Sequence, residues 1–142
     1  MHDPRQAAKE LRRAMTQLGF VGAILNDFQS VSTPREEETF KMYDQLEYDA
    51  FWEVVQELDA PIYIHPRMPN PTVEKLLYAE RAGVIGSPWS FATGVSLHTL
   101  GLCCNGVFDR FPKVQVRLSK LWGNNRLSLV ILANGFHTIS GD

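Results

Sequence analysis

His65 closes the run Pro61-Ile62-Tyr63-Ile64-His65-Pro66-Arg67, where four residues of strand character lead into an imidazole and a proline follows at once. Proline has no N–H to give a sheet and biases the residue before it toward extended geometry, so the strand and its end are both marked. A parallel strand ending on His65 sets the imidazole at the carboxyl end, the rim where α/β barrels and open α/β sheets keep their chemistry. A ligand or metal would sit there, although a lone histidine at a strand end is more often a hydrogen-bonded structural residue. One imidazole does not hold a catalytic metal, which takes about three protein ligands. The other histidines do not complete a set: His2 is terminal, His137 lies in a tail without pattern, and His98 falls inside a helix, where local packing or bonding is expected.

Asn26 ends a second apolar run and is expected at the same rim as His65; turning a strand into a loop is an equal alternative for an asparagine there. Asp27 reads as a solvated loop acid, with a rim carboxylate as the alternative. Arg67 could grip a carboxylate through two parallel bonds or make a surface salt bridge. Trp89 and Phe91 stand near a helix start, where aromatic residues usually belong to the core. Cys103 and Cys104 are adjacent in mid-helix with no histidine at an obvious spacing, so no nucleophile is assigned.

These residues need elements to position them. Asp3-Pro4 has the form of an N-cap and first helical residue, and Ala7, Leu11, Ala14, Met15 and Leu18 form a helical stripe stopped at Gly19. Phe20 to Asn26 is nearly continuous and apolar, the pattern of a strand buried on both faces. Residues 28–48 contain Pro34 and three consecutive glutamates and read as a long loop with one helical turn, a length often associated with function. Asp49 is expected to cap a second helix that buries Phe51, Val54, Val55 and Leu58. After the Pro61–His65 strand, the pattern predicts a short amphipathic helix over 72–82, a long helix from Ser90 to about Phe108, and a third strand over 114–118. Strands alternating with helices, each strand short and apolar, indicate a parallel α/β sheet.

Composition sets the outer bounds. The chain has 142 residues, 44% hydrophobic and 21% charged, with a formal charge of −2, which suits one globular domain. Near-neutral charge argues against a nucleic-acid groove or an anionic membrane surface as partner. No apolar run reaches the roughly 18 residues of a membrane span. Two adjacent cysteines make no disulfide framework, so an intracellular, cytoplasmic location is expected.

Several stretches, in order, resemble the amidohydrolase-related decarboxylases, which include the dihydroxybenzoate decarboxylases (γ-resorcylate and 2,3-dihydroxybenzoate) and aminocarboxymuconate semialdehyde decarboxylase. They are Glu10-Leu11-Arg12 leading to Leu18-Gly19-Phe20, Gly22 to Asn26, Tyr48 to Trp52, Leu58 to Arg67, Pro88 to Ala92, and Gly106 to Val114. The resemblance covers roughly residues 1–118 and implies a partial TIM-barrel domain there, with 119–142 a divergent tail. The implied fold is α/β, an incomplete (β/α)8 barrel of about three parallel strands with covering helices; whole barrels run to about 250 residues. The resemblance also implies a divalent metal (Zn, Mn or Mg) with His65 among its ligands, and a small aromatic acid as substrate. Asn26 and Arg67 would contact that substrate, and Trp89 and Phe91 would form an aromatic wall beside its ring.

The implied activity is metal-dependent, non-oxidative decarboxylation of an aromatic acid such as a dihydroxybenzoate. Hydrolysis by a metal-bound water is the sister reaction. The family's Gly-His-x-Gly-Glu motif has no match at Leu118-Ser119-Lys120-Leu121-Trp122-Gly123, and its first-strand ligands and strand-eight aspartate have no counterpart. The expectation is therefore a truncated or mis-spliced middle slice, impaired in catalysis and not retaining the metal alone. A non-catalytic module pairing through open sheet edges, with itself or a partner, is the alternative.

Overall fold

The computed structural model describes residues 1–32 and 38–118. Helix α1 (Pro4–Gln17) starts where the Asp3 carboxylate accepts from the backbone N–H groups of Arg5 and Gln6 at 2.9 and 3.0 Å. It buries Ala8 and Leu11 against α2 (Asp49–Glu57), and Arg12 pairs with Glu57 across the outside of that contact. Strands β1 (Ala23–Asn26), β4 (Ile62–His65) and β5 (Val116–Leu118) form one parallel sheet in the order β1-β4-β5. All three strands expected from the sequence are present and parallel, with helices against the sheet.

The core lies on one side of this sheet. Ile62 and Ile64, both fully buried, join Phe51, Trp52, Val55, Val95, Leu102 and Val107, with Ala23, Leu25, Val116 and Leu118 packed at the margin. Trp52 is held by an Nε1–H bond to the Tyr43 carbonyl at 2.7 Å. The alternate residues point the other way: Asn26, His65 and Arg117 are exposed, and Ile24 is 71% exposed. Phe20 to Asn26 is therefore not buried on both faces. Strand side chains alternate, and among the described residues only one face of the sheet is covered.

Four further expectations are corrected. Residues 28–48 are not simply a loop, because β2 (Gln29–Ser32) and β3 (Glu38–Lys41) pair antiparallel, with Phe28 edge-on to Phe40 at 5.9 Å between ring centres. Asp49 is the first residue of α2 rather than its cap, and its carboxylate instead takes two bonds from Arg110, at 2.9 and 3.0 Å. The helix over 72–82 becomes a short α3 (Pro71–Val73) running into a π-helical turn, Glu74–Tyr78. The long helix divides into α4 (Ser90–Cys104) and α5 (Val107–Arg110), because Gly106 between them is left-handed at φ 67°. Residues 119–142, including His137, lie outside the described residues.

Candidate functional site

Asn26 and His65 are register partners on neighbouring parallel strands, so their side chains emerge next to each other at the carboxyl rim. The ladder continues one step further, with the Asp27 N–H donating to the His65 carbonyl at 3.0 Å. His65 is exposed, and its Nδ1 lies 3.0 Å from the Pro66 carbonyl. A carbonyl only accepts, so that contact favours the proton on Nδ1 and leaves the lone pair on Nε2, the tautomer suited to a metal or a proton donor.

Asp27 is not a solvated loop acid. It is 2% exposed, and its Oδ1 accepts from the Arg67 backbone N–H at 3.0 Å. Burial pushes its carboxyl up to about 6, against the smaller opposing effect of that N–H and of the Arg67 charge. The Arg67 guanidinium turns back over the Phe28 ring, 4.9 Å from its centre, and donates from Nη1 to the Phe28 carbonyl at 3.4 Å. Arg67 thus ties the loop after β4 to the loop after β1. Trp89 stands at the start of α4, 56% exposed, and Phe91 packs half-buried over the Gly86 turn.

Beneath the rim runs one face of α4, Gly94-His98-Gly101-Asn105, at spacings of four, three and four residues that keep one side. A Cβ on Gly94 would collide with Oδ2 of Asp27, and one on Gly101 would lie 2.6 Å from Oδ2 of Asp44. Two carboxylates are therefore seated against a helix that has no side chain to exclude them. Asn105 Nδ2 donates to the second, Asp44 Oδ2, at 2.7 Å. Between them His98, fully buried, donates from Nδ1 to the Asp27 carbonyl and accepts at Nε2 from the Tyr43 N–H at 3.0 Å. Its bonds are long-range and not local as expected from its place in a helix. Burial lowers its pKa to about 4, so it is neutral. In the sequence, the one sign of a positioning role for His98 is the pair of glycines, Gly94 and Gly101, flanking it on one face.

Among the described residues, no three His, Cys, Asp or Glu side chains gather into a group able to hold a metal ion. His65 offers Nε2 but is one ligand where a catalytic metal needs about three. The described residues alone do not fit such a metal.

The family model for amidohydrolases matches residues 1–124. The chain belongs to the amidohydrolase family. Over 121 residues this amidohydrolase chain is 39% identical to a γ-resorcylate decarboxylase from Polaromonas sp. and 38% identical to one from Rhodococcus jostii, in each case over 85% of this chain and 36% of the relative. Its fold superposes on the crystal structure of 2,6-dihydroxybenzoate decarboxylase from Rhizobium with a TM-score of 0.74 at 37% identity, covering 82% of this chain and 35% of the other. A Polaromonas dihydroxybenzoic acid decarboxylase with bound manganese and the inhibitor 2-nitroresorcinol superposes at 0.73 and 39% identity, covering 82% and 34%. The amidohydrolase chain spans about a third of the length of the relatives it matches. The three-stranded sheet accordingly corresponds to part of a TIM barrel.

Proposed function

We propose that this chain carries part of the catalytic rim of an aromatic-acid carboxy-lyase that removes CO2 from a hydroxylated benzoic acid without a net redox change. The observation that carries this reading is the adjacency of Asn26 and His65 at the strand ends, in a chain 39% identical over 121 residues to a γ-resorcylate decarboxylase. In such a reaction the bond between ring carbon and carboxylate breaks, CO2 leaves, and the ring carbon takes a proton. A divalent metal would supply charge stabilisation to the substrate's oxygens. His65 would supply one ligand through Nε2, with the other ligands coming from outside the described residues, and Asn26 would meet a phenolic or carboxylate oxygen with its amide. Arg67 acts by bracing the loops on either side of the rim, and Trp89 and Phe91 offer aromatic side chains to a ring. Two free cysteines, Cys103 and Cys104, support a reducing, cytoplasmic setting.

A chimera tests the reading: residues 1–118 replace the matching section of the Rhizobium 2,6-dihydroxybenzoate decarboxylase. The manganese-loaded chimera should release CO2 from 2,6-dihydroxybenzoate. His65→Ala should lower the rate by about 100-fold or more, the upper range of losing even a supporting residue of a metal site. A folded, manganese-loaded chimera that releases no CO2 but hydrolyses an ester or amide would favour the sister hydrolase chemistry. One that does neither would leave only an associating module, which the uncovered sheet face would suit.

A further inference from the structure

The side of the sheet away from the core carries five strand side chains in two rows. Ile24, Tyr63 and Arg117 are register partners in the lower row, and Asn26 and His65 stand above the first two at the carboxyl rim. The core packs on the opposite side, so in a TIM barrel this face is the inner one. Inward positions of barrel strands are mostly filled by branched apolar residues. Ile24 follows that rule. Arg117 breaks it, one row below the rim where barrel enzymes keep their chemistry.

A guanidinium enclosed in a barrel needs an anion. None of the other four side chains on this face is an acid, and Arg117 has no ion-pair partner among the described residues. Arg67, the other arginine near the rim, is taken up by the Phe28 ring and carbonyl. Neighbouring strands lie about 4.8 Å apart, and two residues advance a strand by about 6.6 Å. A long side chain at position 117 therefore spans the space in front of Tyr63 and beneath the rim pair. The Tyr63 ring lies 6.5 Å from the His65 ring, tilted by 42°, and with Ile24 it gives that space an apolar floor.

We propose that Arg117 is a substrate-binding residue, which takes the carboxylate of an aromatic acid on this face through the paired N–H groups of its guanidinium. The aromatic-acid class rests on the decarboxylase reading. The anion site is tested without metal and without turnover, so the two fail separately.

Benzoate and benzamide, alike in shape but charged and neutral, are titrated into the full chain with EDTA present and followed by amide NMR shifts. Benzoate should bind roughly fivefold or more tightly than benzamide, with the largest shifts on β1, β4 and β5. The preference should shrink as salt is added. Arg117→Gln should erase it, Arg117→Lys should keep part of it, and His65→Ala should leave it unchanged. Equal affinity for the two probes, no saturable binding of benzoate, or an undiminished preference in Arg117→Gln would overturn the assignment. Shifts confined to α1, where Lys9, Arg12 and Arg13 line a separate groove, would overturn it as well. A chimera that releases no CO2 while the benzoate preference stands would remove the decarboxylase reading and leave Arg117 as the anion site.

Discussion

The carbonyl oxygen of Asp27 accepts a hydrogen bond from Nδ1 of His98, 71 residues further along the chain. Through Nε2 the same ring takes the Tyr43 N–H, so one neutral imidazole joins the loop after β1, the loop before α2, and helix α4. Both ring nitrogens answer backbone groups that no water reaches. The loop that follows Asn26 is fixed by this joint, and the rim inherits its position.

Replacing His98 by leucine should therefore cost about 3 kcal/mol, since it leaves a buried carbonyl and a buried N–H without partners at roughly 1–3 kcal/mol each. Urea unfolding followed by circular dichroism measures it. A loss under about 1 kcal/mol would show that the two backbone groups find other partners.

His98 and Asp27 act on acid stability in opposite directions. The folded pKa of His98, about 4, lies below its ordinary 6.5. Its stabilisation is thus complete above pH 6.5 and is lost as pH falls toward 4, by about 3 kcal/mol. Asp27 has a folded value of about 6, above its ordinary 3.8. Its stabilisation is complete below pH 3.8 and is lost as pH rises through 6, by a similar amount of about 3 kcal/mol. Between pH 4 and 6.5 the two contributions nearly cancel. Asp27→Asn should unmask the acid sensitivity of His98, and His98→Gln the reverse slope. Urea midpoints across that range report both, and a flat profile in Asp27→Asn would refute the coupling.

Gly94→Ala should destabilise the fold although alanine favours helix by up to about 1 kcal/mol. The new methyl group meets the buried Asp27 carboxylate, and forcing atoms into packed space costs about 1–3 kcal/mol. Gly83→Ala, where a Cβ meets nothing within 4 Å, serves as the reference and should be near neutral. A double substitution, Gly94→Ala with Asp27→Ala, should show positive coupling in a thermodynamic cycle. Additive effects would mean that the two residues do not compete for space.

His65→Ala should leave stability within about 0.5 kcal/mol, as befits an exposed side chain bonded only to its neighbour's carbonyl. In this chain alone it should also change manganese affinity little, because the described residues supply no three-ligand group around it. Isothermal titration with manganese tests the second half. A large drop in affinity would reveal ligands beyond those described.

The strand that carries His65 was legible because two prolines frame it, and its pairing with Asn26 followed from two apolar runs ending in polar residues. The β2–β3 hairpin was hidden: Ser30-Val31-Ser32 and Thr39-Phe40-Lys41 alternate properly, but Pro34 and the run of glutamates between them look like loop. Asp27 defeated the reading for a different reason. An acid after a strand usually meets water, and here it is buried because α4, some 70 residues later, presents a glycine to it. His98 could not be assigned from sequence, since its partners are backbone groups, and backbone carries no residue-specific signature.

Among the described residues, the sheet of β1, β4 and β5 has a dry side and a wet side, whereas parallel sheets are ordinarily covered on both. Ile24 therefore lies in water opposite the core it would otherwise extend. In this chain by itself a polar residue at that position is nearly free of penalty. Within a closed barrel the same change would bury a polar group in a packed interior. Tolerance at position 24 thus works as a gauge of enclosure, reading out whether other polypeptide has come to lie against these strands.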